Sequence, residues 1–384
     1  MAYKDFNIRS YNGLIDKGRV EDLERRCAVG PAEHVFFIDT MGDPICRIRN
    51  SPMYNMLVAE LDNELVGVIQ GSIKQVTVRK NLAKVGYVLG LRVSSTHRHK
   101  GIGSSLVHYL VQWFVANQAD YAYMATDKDN HASINLFAKL GFVRFRTPAI
   151  LVHPVNNSSF HLSPNIKIAK LKVEQAEFLY RKFMGSVEFF PHDIDKVLGN
   201  KLSLGTWVAY PRGQTWCDQF GIGGGQVIPN SWAMVSVWNS TQVYKLRIGK
   251  QTVSCFFYKM YSRLIHKLFP CFELSEIPDF LEPFGFYFMY GVHQEGPGSG
   301  KMVRALCKYV HNMARKAQEC KVLVTEVEGE NKMKLYIPHW KLLSCSEDLW
   351  CIKALKNEER NSPLHEMTKS PTTRPPLFVD PREV

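Results

Sequence analysis

The sequence predicts an α/β protein, in the α+β sense, built from tandem units: each a mixed sheet flanked by helices, the second degenerate. Three observations predict this. Apolar strand patterns alternate with helical ones along most of the chain. In the first half, Val88–Leu106 reads as an apolar strand, a basic glycine loop and the start of an amphipathic helix. Strand, glycine loop and helix return in the same order, faintly, between Phe286 and Ala314. With 384 residues the chain is long enough to bury two cores.

Residues 20–27 form a short helix, with Glu21 and Arg25 one turn apart. Residues 29–52 hold Pro31, Pro44, Pro52, Gly30 and Gly42 and read as an irregular lid or substrate loop. Residues 56–60 and 65–73 are strands joined by Leu61-Asp-Asn-Glu64, and residues 85–93 are a third strand. Residues 103–117 are a helix whose apolar face carries Leu106, Val107, Leu110, Val111 and Phe114. A strand at 121–126, a helix at 132–139 and a strand at 142–152 complete the first unit, 1–155. The polar, turn-rich segment 154–165 marks the boundary. The second unit, 156–356, pairs strands at 206–210 and 232–238, carries a helical insertion at 253–268, and continues with the strand 286–292. Its glycine loop is Gln294–Gly300, followed by a helix to Ala314 and a strand at 321–327, and residues 350–355 close it. The tail, 357–384, is polar and proline-rich and reads as extended, with Leu377-Phe-Val379 as the part able to dock.

Composition narrows the function classes. Hydrophobic content is 45% and no apolar run reaches the roughly 18–20 residues of a membrane helix. The N-terminus, Met-Ala-Tyr-Lys-Asp-Phe-Asn, lacks the apolar core of a signal peptide. The 9 Cys are scattered without a Cys-x-x-Cys pair, so they read as reduced thiols of a cytosolic or nuclear protein, with no metal site. Net charge is +12, and no Asp or Glu falls between Leu65 and Ala119, where Lys74, Arg79, Lys80, Lys84, Arg92, Arg98 and Lys100 lie. Such a field attracts polyanions, though part of it, Lys74 to Lys84, also reads as a solvated face. Nucleic acid ranks last as a ligand, because no RNA- or DNA-reading motif is present.

The loop Arg98-x-x-Gly101-x-Gly103 explains the charge better. Glycines let the backbone approach an anion, and the next helix aims free N–H groups and its positive end at it. Arg98, His99 and Lys100 supply charge, and the N–H groups of Gly101, Ile102, Gly103 and Ser104 form a nest. This is a pyrophosphate cradle; without Gly-Lys-Ser/Thr it is not a P-loop. Further on stands Asn130-x-x-Ser133-x-x-Leu136-Phe137-x-x-x-Gly141-Phe142.

The two motifs, in order and with a helix and strand between them, resemble motifs A and B of the GNAT superfamily of acetyl-CoA-dependent N-acyltransferases. The resemblance implies tandem GNAT-like units and acetyl-CoA as cosubstrate. It implies a bulged strand splayed from its neighbour, with Leu91, Arg92 and Val93 holding the pantetheine arm and polarising the thioester. It sets Asn130 along that arm, Ser133 where a small residue lets the cofactor approach, and Phe137 where many members carry a Tyr acid. The general base is missing from its usual strand. Tyr87 stands there instead, able to order a water, and Asp127 and Asp129 are the nearest carboxylates, first as caps for the following helix. Tyr87 and Asp127 are therefore the candidate proton-handling residues. His97 and His99 read as cationic members of the phosphate loop, and His34 as a loop histidine. In the second loop Glu295 faces the place of the phosphate, so the second unit is expected to hold CoA weakly or not at all.

Nearly the whole chain is also similar to the plant Hookless-type probable N-acetyltransferases. Tyr87-Val-Leu-Gly-Leu-Arg-Val93, Glu188-Phe-Phe-Pro-His-Asp-Ile-Asp195, Ile337-Pro-His-Trp-Lys341 and Val379-Asp-Pro-Arg-Glu383 carry the likeness. It implies transfer of acetyl from acetyl-CoA to an amine, on a protein, in hormone-controlled growth. The alternative is an acyl-CoA-binding regulatory protein that keeps motif A without the chemistry.

Overall fold

The computed structural model describes residues 6–27, 36–216, 228–248, 280, 282–328, 332–345, 347–356 and 376–384. The first half runs β1 (Asn7–Ser10), α1 (Gly13–Arg26), β2 (Phe36–Asp39), β3 (Met53–Leu61), β4 (Glu64–Val78), β5 (Asn81–Val93), α2 (Ile102–Ala116), β6 (Tyr121–Asp127), α3 (His131–Lys139) and β7 (Val143–Arg146). The second runs β8 (Pro148–Pro154), β9 (Ile166–Leu171), α4 (Val173–Met184), α5 (Ile194–Leu198), β10 (Ser203–Pro211), β11 (Trp232–Asn239), β12 (Lys245–Ile248), β13 (Gly285–Glu295), α6 (Gly300–Ala314), β14 (Cys320–Glu328) and β15 (Asp348–Ala354).

Local chemistry accounts for the turns and ends. Helix α1 starts earlier than the apolar pattern suggests, because Asn12 caps it by accepting from the Leu14 N–H at 3.0 Å. Strands β3 and β4 turn through Asp62 and Asn63 at φ 49° and 64°, the left-handed pair of a type I′ hairpin. Arg79 and Lys80 turn β4 into β5 in the same way, at φ 50° and 67°.

The strands form a seven-stranded sheet, β1-β3-β4-β5-β6-β15-β7, and a six-stranded sheet, β8-β14-β13-β11-β10-β9. Each contains one parallel pair, β5 with β6 and β13 with β14, among antiparallel neighbours. Strands β2 and β12 form a small ribbon that joins the two halves. Helices α2 and α3 bury Leu106, Leu110, Phe114 and Phe137 against one face of the first sheet. Helix α6 buries Val303, Leu306 and Val310 against the second. The remaining faces of both sheets share one core, with Tyr87, Tyr123 and Trp350 from the first and Phe286, Phe288 and Val322 from the second.

The tandem reading stands, and two strand assignments are corrected. The strand expected over 142–152 is two strands in different sheets: β7 ends at Arg146, and β8 starts at Pro148, whose missing N–H suits the first residue of a strand. Strand β15 does not close the second unit; it lies in the first sheet between β6 and β7. Next to β14 the second sheet has β8 instead. The two halves thus exchange strands, and the sheets do not part at residue 155. Strand β15 is buried on both faces, Leu349 and Cys351 toward α2 and α3, Trp350 and Ile352 toward the shared core. That burial fits an interior position in the sheet.

Within the presumed lid, residues 36–39 are a strand and Cys46 and Ile48 are core. The expected insertion at 253–268 and His34 fall outside the described residues. The end of the tail is no loose extension: Phe378, Val379, Asp380, Pro381, Arg382 and Glu383 are buried.

Candidate active site

The site begins with a defect in β5. Val68 of β4 lies opposite Arg92, but Gln70 lies opposite Leu89, so Gly90 and Leu91 together face Ile69. Gly90 makes the bulge at φ 63°, which favours glycine. Strand β5 pairs with β6 from Val85–Tyr121 to Val88–Met124 and then leaves it. An opening follows, with Leu91, Arg92 and Val93 on one side and Ala125, Thr126 and Asp127 on the other. The Arg92 side chain is anchored away from it, Nε to Glu24 Oε2 at 3.1 Å and Nη1 to Leu91 O at 2.9 Å.

The glycine loop closes one end of the opening. His99 and Gly101 take φ 63° and 82°, turning the chain into α2. The N–H groups of Ile102, Gly103 and Ser104 come before the first helical bond, from Ser105 N–H to Gly101 O at 3.0 Å. A side chain added at Gly101 meets no atom within 4 Å, so the space above the loop is open. Arg98, His99 and Lys100 are exposed and have no ion pair among the described residues. At Gly103, an added Cβ would lie 3.6–4.0 Å from Leu136, Val93 and Leu91, so loop, bulged strand and α3 meet there. Asn130 caps α3, accepting from Ser133 N–H at 3.1 Å and donating to Thr126 Oγ1 at 3.2 Å. Phe137 lies in the core, edge-on to Phe142 with ring centres 5.1 Å apart. The expected cofactor residues thus converge, apart from Phe137, whose ring holds α3 to the sheet. The donors and cations suit a pyrophosphate.

The second unit repeats the frame and fills it. Parallel pairing of β13 with β14 also stops, at Met289–Thr325, ahead of a register shift. Here the Tyr180 ring packs against the bulge, its hydroxyl donating to Gly291 O at 3.2 Å. The Tyr336 ring lies over the start of α6, within 2.3 Å of where a Cβ on Gly300 would stand. Glu295 leans on His293, Oε1 to Nε2 at 3.0 Å.

The expected proton-handling residues fare differently. Tyr87 is buried, its ring 4.8 Å from that of Tyr123. Burial first, then the Glu383 charge, pushes its phenol far above the usual range, so it stays protonated and is no base. Asp127 does not cap α3, a role Asn130 takes; it accepts from Asp129 N–H at 2.8 Å in the turn ahead of the helix. Lys74 is not part of a solvated face: it is buried, with Nζ 3.1 Å from Asp380 Oδ2 and 2.6 Å from Glu383 Oε1.

Three acidic residues missed in the sequence gather on the face of Tyr87, all from the second half. Asp348 lies opposite Asp127 in the β15–β6 ladder. Glu326 of β14 accepts from Trp350 Nε1 at 3.0 Å. Glu383 accepts from the Tyr123 hydroxyl. One signal pointed to Asp348: it holds an inward position two residues before Trp350, where an apolar residue is the rule. No group of ≥ 3 His, Cys, Asp or Glu among the described residues is arranged to hold a metal, and no described helix is long and apolar enough to cross a membrane.

Residues 19–142 match the acetyltransferase (GNAT) family. The chain is 45% identical to the probable N-acetyltransferase HLS1 of Arabidopsis thaliana, over 98% of this chain and 99% of the relative. It is 44% identical to the HLS1-like probable N-acetyltransferase of the same plant, over 98% of both chains. In fold it resembles Saccharomyces cerevisiae N-myristoyltransferase, solved with bound myristoyl-CoA: TM-score 0.56 and 12% identity over 92% of this chain and 79% of that one.

Proposed function

We propose, from the premise that this chain belongs to the GNAT acetyltransferases and within them to the plant probable N-acetyltransferases typified by HLS1, that its donor is acetyl-CoA and its acceptor an amine on a protein. The protein is an acetyltransferase; the identity of the donor and the acceptor is the step taken here. One observation carries it: the open, cationic cradle at Gly101 leads directly into the opening between β5 and β6. A pyrophosphate on the N–H groups of Ile102, Gly103 and Ser104, flanked by Arg98 and Lys100, directs its arm past Leu91 and Val93. The bulge at Gly90 frees backbone groups that β6 would otherwise occupy, and these polarise the thioester carbonyl. A donor with a two-carbon acyl group suits an opening bordered by Leu89 and Ala125, whose side of the sheet is already filled by Tyr87, Tyr123 and Trp350. The acceptor then approaches past Ala125 and Asp127, which are only partly buried, at the end of the opening that the rings leave uncovered. We place this activity in the cytosol or nucleus, in hormone-controlled growth, on the strength of the reduced thiols and the plant relatives.

The test is calorimetric titration with acetyl-CoA, followed by thiol release with peptides bearing free α-amino or lysine amines. The wild-type chain binds and releases thiol only when an amine is present. The double variant Arg98→Ala, Gly101→Trp loses one charge-assisted contact and fills the open space above the loop, and with them at least about 100-fold in affinity. Unchanged affinity in that variant overturns the assignment. Binding without release, across both peptide classes, leaves an acyl-CoA-binding regulatory protein instead.

A further inference from the structure

The first sheet lacks the base that amine acylation needs, and the second half of the chain brings carboxylates to the place where it is missing. Side chains alternate along a strand, so Tyr87 and Leu89 of β5, Tyr123, Ala125 and Asp127 of β6, and Asp348 and Trp350 of β15 share one face of the sheet. This face looks away from α2 and α3 and toward the shared core. The β5–β6 pairing stops at Val88–Met124, so Ala125 and Asp127 border the opening, and Asp348 stands directly across from Asp127. Glu326 reaches the same place from the second sheet, where Trp350 Nε1 fixes its Oε1 at 3.0 Å. The rings of Tyr87, Tyr123 and Trp350 stack in a row beneath, with centres 4.8 and 5.5 Å apart, and exclude water from one side.

We propose that Asp348 and Glu326 together form the general base of this acetyltransferase, supplied to the first unit's opening by the inserted strand β15 and by β14. The proposal rests on the acetyl-transfer reading above. It also gives the second unit a part in the reaction, since that unit's own cradle is filled.

The surroundings suit the role. Burial, followed by the neighbouring Asp127 charge, pushes Asp348 up to about 7. Burial and Asp348 together push Glu326 well above the usual carboxylate range. Facing the pair are Asp127 from β6, Glu328 from β14, Glu383 from the C-terminal segment, Tyr87 from β5 and the Cys345 thiol, with Lys128 held at the rim by Glu347 at 3.2 Å. The pair therefore shares a proton at neutral pH, as two crowded carboxylates do, and its ionised member accepts another.

The step balances without a further reactant. The acceptor ammonium gives one proton to the ionised carboxylate, and the freed amine nitrogen bonds to the thioester carbon. The carbon–sulfur bond breaks, and the sulfur keeps its electron pair. The thiolate takes the second proton from the nitrogen, leaving an amide and a free thiol, and the carboxyl returns its proton to solvent.

The test uses the full chain, acetyl-CoA and the two peptide classes named above. Asp348→Asn and Glu326→Gln are each expected to lower kcat by about 10²–10⁴-fold, with acetyl-CoA affinity within twofold of wild type. The acidic limb of the pH–rate profile, centred near neutrality in the wild type, is expected to disappear in both. A second readout needs no turnover: in carboxyl ¹³C spectra of the unliganded chain, the signals that titrate above the ordinary range include those of Asp348 and Glu326 beside Glu188 and Glu383, and each variant removes one of the first two. Variants that keep kcat and the acidic limb, or carboxyls that titrate with ordinary surface ones, overturn the proposal while leaving acetyl transfer intact. A wild-type chain that transfers acetyl to neither peptide class overturns both. If Asp348→Asn loses acetyl-CoA binding through misfolding, Glu326→Gln and the wild-type titration decide.

Discussion

Lys74 Nζ lies 3.1 Å from Asp380 Oδ2 although 306 residues of chain separate them. The contact is the centre of a buried knot. Lys74 also meets Glu383 Oε1 at 2.6 Å, Glu383 accepts from Tyr123, and Arg382 binds Asp380 at 2.7 Å and Asp193 at 2.7 and 2.9 Å. Burial alone would raise the Asp380 carboxyl, but Arg382 and Lys74 hold it far below its usual range. The end of the chain is thereby fastened beneath the face that carries the candidate base.

Removing Lys74 leaves two buried carboxylates against one guanidinium. Lys74→Met is therefore expected to lower stability by about 3–5 kcal/mol in denaturant unfolding, the cost of an uncompensated buried charge. A loss below about 1 kcal/mol would mean that the knot is as weak as a surface pair.

Why that knot escapes a reading of the sequence is a matter of distance along the chain. Arg98, Gly101, Asn130 and Ser133 act through local geometry: a left-handed turn, a helix start, a cap. Their spacing can be read directly, and the structure brings them to one end of the β5–β6 opening. Lys74 sits in a basic stretch that resembles a solvated surface, and Asp380–Glu383 resembles the end of a polar tail. Only the fold pairs them. Strand β15 is similar: Asp348-Leu-Trp-Cys-Ile reads plainly as a strand, but nothing in its pattern says which sheet takes it. Tyr87 is the opposite case: its place on the strand ahead of the glycine loop is plain in the sequence, and its burial, which is not, takes away the chemistry expected of it.

Asp348 also makes stability depend on pH. Its folded pKa of about 7 lies above the unfolded value, so the folded state binds its proton more tightly. Stability is then fullest below about pH 4 for this group and declines as pH rises toward 7. Asp348→Asn is expected to raise stability at pH 8 by up to about 4 kcal/mol, and to change it little near pH 4. Melting temperatures of both proteins across that range check it; a parallel shift at every pH would refute the linkage.

The filled second cradle fixes the stoichiometry. With Tyr336 over the start of α6, Tyr180 against the bulge at Gly291 and Glu295 beside the loop, calorimetry is expected to give one acetyl-CoA per chain. In the Arg98→Ala, Gly101→Trp variant no residual site is expected to remain. A second, weaker isotherm surviving in that variant would place a ligand on the second unit.

A histidine pair ties the second half to acid stability. His311 Nε2 lies 3.3 Å from Ser158 O, and a carbonyl only accepts, so that nitrogen carries the proton. The neutral ring then accepts at Nδ1 from His153 Nε2, 3.2 Å away, and His153 Nδ1 is left as a buried lone pair without a partner among the described residues. Burial, reinforced by His311, lowers His153 to about 4, and burial lowers His311 as well. Both rings are depressed in the folded state, so the unfolded chain binds more protons between about pH 4 and 6.5. Their contribution is complete above that window and is lost as pH falls through it. From pH 7 to pH 5 about 2 kcal/mol of stability is expected to be lost through His153 alone, against the gain from Asp348 over the same range. His153→Phe removes the titrating group and should remove that loss from denaturant unfolding across the two pH values; an unchanged pH dependence would assign the acid sensitivity to other residues.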